Sequence, residues 1–195
     1  MTKQITSSIM MIRPVAFHFN EQTAVNNHYQ KVLECTSVDQ VQAQAQKEFD
    51  TFVVKLRANG IDVVVVEDTL EPNTPDSIFP NNWVSFHQDG RVGLYPMFAE
   101  NRRLERREDI LTLLQKRYNF VISEVVDFSH YESDGLFLEG TGSMLLDRTN
   151  KIVYAALSLR TDVKILEDFC NKFAYKAVTF SSNQTVGGKR LAIYH

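Results

Sequence analysis

The chain has 195 residues, of which 44% are apolar and 23% charged, with a formal net charge of −3. That length suffices to bury one good core, and the charge balance excludes the basic footprint expected of a nucleic-acid or membrane-surface binder. The two cysteines, Cys35 and Cys170, make neither a metal-ligand spacing nor a disulfide framework, which suits a reducing cytoplasm and calls for no metal and no cofactor. No apolar run before Arg13 is long enough for a signal peptide, and none anywhere for a membrane span.

In chain order, Ser8 to Ile12 reads as a buried first strand, stopped by Arg13-Pro14. Val38, Val41, Ala45, Phe49, Phe52 and Leu56 then keep a three-to-four spacing, which predicts one face of a long helix ending at Asn59-Gly60. Asp62 to Glu67, rich in valine, predicts a strand buried on both faces. A polar loop from Thr69 to Pro75 follows, and from there the chain repeats itself.

Asp76-Ser77-Ile78-Phe79-Pro80-Asn81 recurs 58 positions later as Asp134-Gly135-Leu136-Phe137-Leu138-Glu139. Each copy leads into an apolar run (Trp83 to Phe86; Met144 to Leu146), a turn (Asp89-Gly90; Asn150-Lys151) and a second apolar run (Val92 to Met97; Ile152 to Leu157). An arginine, Arg102 or Arg160, then precedes a helical pattern, predicted over Leu104 to Lys116 in one copy and from Thr161-Asp162 in the other. Return strands are expected at Phe120 to Val126 and Ala177 to Phe180. The repeating unit is therefore strand, strand, helix, strand. After the Gly187-Gly188 turn another copy begins with Leu191 to His195. Units of this kind need neighbours to close a core, so the chain is expected to be a piece of a longer protein or to complete its fold with a partner.

Pseudo-symmetry puts particular polar groups at corresponding points. Glu139 sits before Gly140-Thr141-Gly142, where backbone can approach a ligand closely, and its carboxylate can hold a substrate nitrogen or serve as a general acid or base. An exposed glutamate in a glycine turn would look the same taken alone. Asn81-Asn82 reads either as a plain turn or as a strand interior or bulge whose amides offer donors and acceptors to a neutral, planar ligand. Arg102 and Arg160 are each expected at a helix start, against the macrodipole, where an anion would rationalise them. Arg103, Arg106 and Arg107 read as a solvated surface, and Cys170, between Phe169 and Phe173, as core packing. His195 stands 56 residues after Glu139, close to the repeat period.

Pro75-Asp76-Ser77-Ile78-Phe79-Pro80-Asn81-Asn82, Arg102-Arg103-Leu104-Glu105, Leu138-Glu139-Gly140 and Leu159-Arg160-Thr161 together resemble, in order and spacing, the guanidino-group-modifying enzymes. These are the arginine deiminases, dimethylarginine dimethylaminohydrolases and amidinotransferases, and the likeness is greatest to the citrulline-utilization hydrolases. The resemblance runs from Ser7 to His195. It implies an α/β-propeller of the pentein type, with 1–195 a single domain forming about three of five units (roughly 1–74, 75–132 and 133–190). It implies Glu139 as the acidic catalytic member and His195 as the general acid/base. Arg102 and Arg160 would hold the substrate α-carboxylate, and Asp76 would shape the pocket beside Asn81 and Asn82. The family's chemistry is attack by a cysteine on a guanidinium or ureido carbon.

Two departures stand out. Asn82 replaces the aspartate that grips a guanidinium, which favours a neutral ureido group such as that of citrulline. Neither Cys35 nor Cys170 occupies the nucleophile's place. The expected activity is C–N hydrolysis of citrulline or a related ureido or guanidino amino acid. Arginine deiminase, amidinotransferase and a non-catalytic binding protein on the same scaffold are the alternatives. The expected partner is a small amino-acid substrate, with no nucleic acid and no membrane, and homo-oligomerisation left open.

Overall fold

The computed structural model describes residues 3–25 and 37–193. Cys35, His28 and His195 lie outside the described residues, as does the end of the last predicted strand. The chain divides into two compact units, one formed by Ile5–Pro80 with Ala99–Glu105, the other by Met1–Gln4, Asn81–Phe98 and Arg106–His195.

In the first unit, β1 (Ser8–Arg13) and β2 (Asp62–Glu67) pair in parallel, Ser8 opposite Asp62 and Arg13 opposite Glu67. A parallel pair needs a long crossover, and α1 (Val38–Ala58) supplies it. Its start is fixed by a capping box: Ser37 Oγ accepts from Gln40 N–H, and the Gln40 side chain accepts from Ser37 N–H. The inward face differs by one position from the expected stripe, since Val53 is buried while Val38 and Phe52 are exposed. Two glutamines share that face because Gln42 and Gln46 both donate to the Pro14 carbonyl, each at 2.8 Å, and so satisfy the loop that leaves β1.

The second unit carries the strands and long helices of both repeat copies, while Asp76, Pro80 and Arg102 of the first copy belong to the other unit. β3 (Val84–Phe86) runs antiparallel to β4 (Arg91–Leu94), α2 (Glu108–Tyr118) follows, and β5 (Glu124–Asp127) returns parallel to β4. Then β6 (Met144–Asp147) runs antiparallel to β7 (Ile152–Ala156), α3 (Val163–Phe173) follows, and β8 (Lys176–Phe180) returns parallel to β7. A further hairpin, β9 (Asn183–Val186) with β10 (Lys189–Ala192), turns at Gly187-Gly188. The second helix begins four residues later than expected, leaving Leu104 exposed outside it. Both repeat helices end alike: Asn119 and Ala174 take left-handed backbone, with φ of 52° and 56°, and return their N–H to the carbonyls of Leu114 and Cys170.

The core of this unit gathers Val126 and Phe128 from one repeat with Leu138, Met144, Leu146, Val153 and Ala155 from the next, against Ile165, Leu166, Phe169 and Phe173 of α3. On the opposite side of the second sheet, Leu145, Tyr154 and Val178 face one another in register and are all exposed, as is every residue of β8. The core also holds a polar string: the Tyr95 hydroxyl shares a 2.6 Å hydrogen bond with Ser85 Oγ, which shares one of 2.9 Å with His87 Nε2. The His87 ring is stacked on Phe173, centroids 4.1 Å apart. Burial first, then the positive charge of Arg148, pushes the His87 imidazole down to about 3; Lys151 and Arg91 act the same way and Asp89 opposes them.

Two outcomes follow from this architecture. At Ala174 the left-handed backbone crowds the Cβ, so Ala174→Gly is expected to raise the unfolding free energy by about 0.5–1 kcal/mol in chemical denaturation; a loss would mean the αL cap is not the strained element. His87 has a folded-state pKa below its unfolded one, so its neutral form contributes stability that is present above about pH 6.5 and lost as pH falls toward 3. The melting temperature of the wild type should therefore fall more steeply over that window than that of His87→Phe, which keeps the stacking but cannot titrate.

Candidate functional site

The second unit brings Glu139 and Arg160 together by backbone pairing before any side chain takes part. Leu138 and Thr161 form an isolated antiparallel bridge, the Glu139 N–H donates to the Arg160 carbonyl at 3.2 Å, and Asp162 N–H donates to the Phe137 carbonyl at 2.8 Å. Arg160 thereby lies just before Asp162, whose side chain caps α3 by accepting from Lys164 N–H. The Arg160 Nη1 approaches Glu139 Oε2 at 3.3 Å, and the two side chains are 2% and 0% exposed. Burial this complete makes each charge dependent on the other, since removing one partner of a buried pair costs about 3–5 kcal/mol.

Two further residues hold the pair. Ser143 Oγ accepts from the Glu139 N–H and donates to the Arg160 carbonyl at 2.7 Å, bridging the two segments. Phe98 N–H donates to Glu139 Oε1 at 3.0 Å. The Phe98 ring lies 5.4 Å from the Arg160 guanidinium carbon. These contacts draw one group, Phe98, from the first repeat, and the pair with its bridge from the second.

Asn81 and Asn82 reach the same neighbourhood through their main chain. Pro80–Asn82 is a 3₁₀ turn, which corrects the strand interior or bulge allowed by the sequence; the proline fixes φ and the amides continue the turn. Asn82 is buried and Asn81 exposed. Gly140, with φ of +44°, sits so close that a Cβ there would stand 2.3 Å from the Asn81 carbonyl oxygen and 2.9 Å from that of Asn82. Thr141 Oγ1 adds a 3.4 Å hydrogen bond to the Asn81 carbonyl. The equivalent loops of the two repeats thus touch backbone to backbone, and only glycine allows it.

Asp76 and Arg102 belong to the other unit. There Asp76 Oδ2 accepts from Asn20 Nδ2 at 2.7 Å and from Thr23 Oγ1 at 3.2 Å, with the Arg102 Nε at 4.0 Å. Arg102 is buried and forked onto Glu105, Nε to Oε1 at 2.9 Å and Nη2 to Oε2 at 3.0 Å, and it also donates to the Phe79 carbonyl. It stands near the end of a single helical turn, Glu100–Arg103, rather than at a helix start, so the macrodipole does not oppose it. Arg106, assigned to the solvated surface from sequence, instead makes a two-pronged pair with Glu132 at 2.6 and 2.8 Å and donates to the Tyr95 carbonyl.

Of the seven residues expected at the site, Asn81, Asn82, Glu139 and Arg160 stand in one unit, Asp76 and Arg102 in the other, and His195 lies outside the described residues. Ser143 and Phe98 were missed. A serine four residues after Glu139, matching Ser85 of the first repeat, could have signalled the former. Phe98 acts partly through its main-chain N–H, which no side chain announces. Among the described residues no group of three or more histidines, cysteines, aspartates or glutamates could hold a metal ion, and no helix is long and apolar enough to cross a membrane. Cys170 is half-buried in α3, and burial, then the charge of Glu167, pushes its thiol up, the reverse of what a nucleophile needs.

Because the contact at Gly140 is with main-chain oxygens that cannot swing aside, Gly140→Ala is expected to lower stability by roughly 3 kcal/mol or more. Calorimetric unfolding of the variant checks this; a change under about 0.5 kcal/mol would mean the two loops are not in contact.

No curated protein matches the chain significantly. Solved structures do. The N-terminal domain of ArgZ, an arginine dihydrolase from the ornithine-ammonia cycle in cyanobacteria, bound to its substrate, superposes with a TM-score of 0.61 at 17% identity, covering 91% of this chain and 58% of that one. A dimethylarginine dimethylaminohydrolase variant in an adduct with S-methyl-L-thiocitrulline gives a TM-score of 0.63 at 18% identity, covering 97% of this chain and 65% of that one. The dimethylarginine dimethylaminohydrolase of Pseudomonas aeruginosa, a cysteine-to-serine variant complexed with citrulline, gives 0.58 at 16% identity, covering 89% and 60%. At such identities the likeness is one of fold, the mixed α/β pentein fold, and the chain spans about 58–65% of the length of these structures. The family model described as N,N dimethylarginine dimethylhydrolase, eukaryotic, matches residues 13–195. The chain therefore belongs to the N,N-dimethylarginine dimethylhydrolase family, within the pentein superfamily of guanidino-group-modifying enzymes.

Proposed function

We propose that the protein is a C–N hydrolase whose substrate is citrulline or a closely related ureido amino acid. The observation that carries this is the neutral, buried Asn82 beside the Glu139 loop, where the family motif carries an aspartate for a cationic guanidinium. A guanidinium placed against an amide keeps an unpaired charge, at a cost of about 2–5 kcal/mol when desolvated. A ureido group has no such charge, and the Asn82 amide offers both a donor and an acceptor to it. Support comes also from the company the fold keeps: the Pseudomonas structure holds citrulline.

In this reading Arg160 meets the α-carboxylate, Glu139 orients the ureido nitrogens, and His195 moves protons. Asp76 lies in the loop that shapes the pocket. A cysteine thiolate attacks the ureido carbon, the C–N bond breaks as His195 protonates the leaving nitrogen, and water then releases the carbonyl fragment from sulfur. The nucleophile is neither Cys35 nor Cys170 and comes from outside these 195 residues, within a propeller of five units to which this chain contributes about three.

The test is steady-state kinetics of the full-length gene product with citrulline, arginine and dimethylarginine. Citrulline should be the best substrate, and Asn82→Asp should lower its kcat/KM while improving arginine by tenfold or more. Wild-type turnover of arginine or dimethylarginine equal to that of citrulline would overturn the assignment of specificity to Asn82.

A further inference from the structure

Phe98, from the preceding repeat, touches both members of the buried pair. Its N–H is 3.0 Å from Glu139 Oε1, and its ring faces the Arg160 guanidinium at 5.4 Å. The ring is itself fixed, edge against Phe137 at 5.4 Å and 79°, and Phe137 is the residue whose carbonyl receives the Asp162 N–H. Phe98 is only partly buried, while Glu139 and Arg160 are almost wholly so. Core filling therefore does not account for an aromatic side chain here as it does for Phe169 or Phe173.

Geometry assigns the two contacts different tasks. The main-chain donor binds Oε1 and the guanidinium binds Oε2, so the carboxylate plane of Glu139 is set from both sides. The ring lies against one face of the guanidinium, so it bears on the direction in which the in-plane N–H donors of Arg160 point. We infer that Phe98 is a positioning residue that aims Arg160 at a substrate carboxylate while its backbone orients Glu139, an inference that rests on the ureido-hydrolase reading above.

The test measures binding to the full-length gene product of two probes, citrulline and N-carbamoylputrescine, which has the same ureido group and no carboxylate. Phe98→Leu keeps the N–H and removes the ring. It should weaken citrulline by about five- to tenfold, leave N-carbamoylputrescine within about twofold, and be rescued by Phe98→Tyr. Equal weakening of both probes, or none, would overturn the proposal. A readout independent of ligand accompanies it: the Arg160 side-chain N–H resonances should be shifted upfield by the ring in the wild type and relax toward ordinary values in Phe98→Leu. No such change overturns the assignment of Phe98 whatever the ligands do. Wild type that shows the ring shift yet binds neither probe would instead strike down the functional reading alone.

Discussion

A carboxylate wholly removed from solvent, as Glu139 is, requires donors in place, or the segment that bears it will not stay folded. Most of what surrounds it in the second unit can be read as meeting that requirement. The bridge between Leu138 and Thr161 brings Arg160 alongside, Ser143 ties the two main chains, and Phe98 supplies a second donor. Gly140 lets the loop bearing Asn81 and Asn82 close in beside them. Each unit buries an arginine against a carboxylate: Arg102 forks onto Glu105 through Nε and Nη2, while Arg160 meets Glu139 through Nη1. A ligand carboxylate arriving at either guanidinium would have to share it with a protein carboxylate, which favours bidentate capture through the remaining N–H groups over simple charge attraction.

The repeat was the most legible feature of the sequence, because a fixed spacing of motifs survives whatever the side chains do in three dimensions. It gives the strand, strand, helix, strand order of both copies, and the valine run gives β2 with its bounds; the parallel direction of the return strands is seen only in the structure. Where it erred, tertiary contacts decided. The α1 stripe rotated to bury Val53 because Gln42 and Gln46 were needed at the Pro14 carbonyl, a use of polar residues that an apolar periodicity cannot register. Leu104 fell outside α2 because the preceding segment is engaged in the Arg102–Glu105 contact.

The site was legible by position and not by partnership. Glu139, Arg160 and the asparagines are singled out as candidates by their place in the repeat, yet nothing in the sequence says that the first two pair with each other. Likewise Arg106 read as solvated among other charges, while its carboxylate partner Glu132 lies 26 positions away. Ion pairs between distant segments leave no local pattern. The turn before the second strand of each repeat carries a comparable hidden use. Lys151 donates to the Phe173 carbonyl and Arg91 to that of Lys172, so cations from both repeats converge on the last carbonyls of α3, where the helix dipole favours them.

The exposed row of Leu145, Tyr154 and Val178 across the second sheet has a bearing on how this polypeptide behaves at high concentration. Its last strand, β8, is wetted along its whole length and includes Val178 and Phe180. An exposed edge strand with apolar side chains is a template for another chain to lie against. Lys176, at the head of the strand, is the lone charged gatekeeper within it. Unless something covers this face in the cell, the colloidal behaviour of the 195-residue chain will be governed less by the strength of its core than by this single strip of sheet.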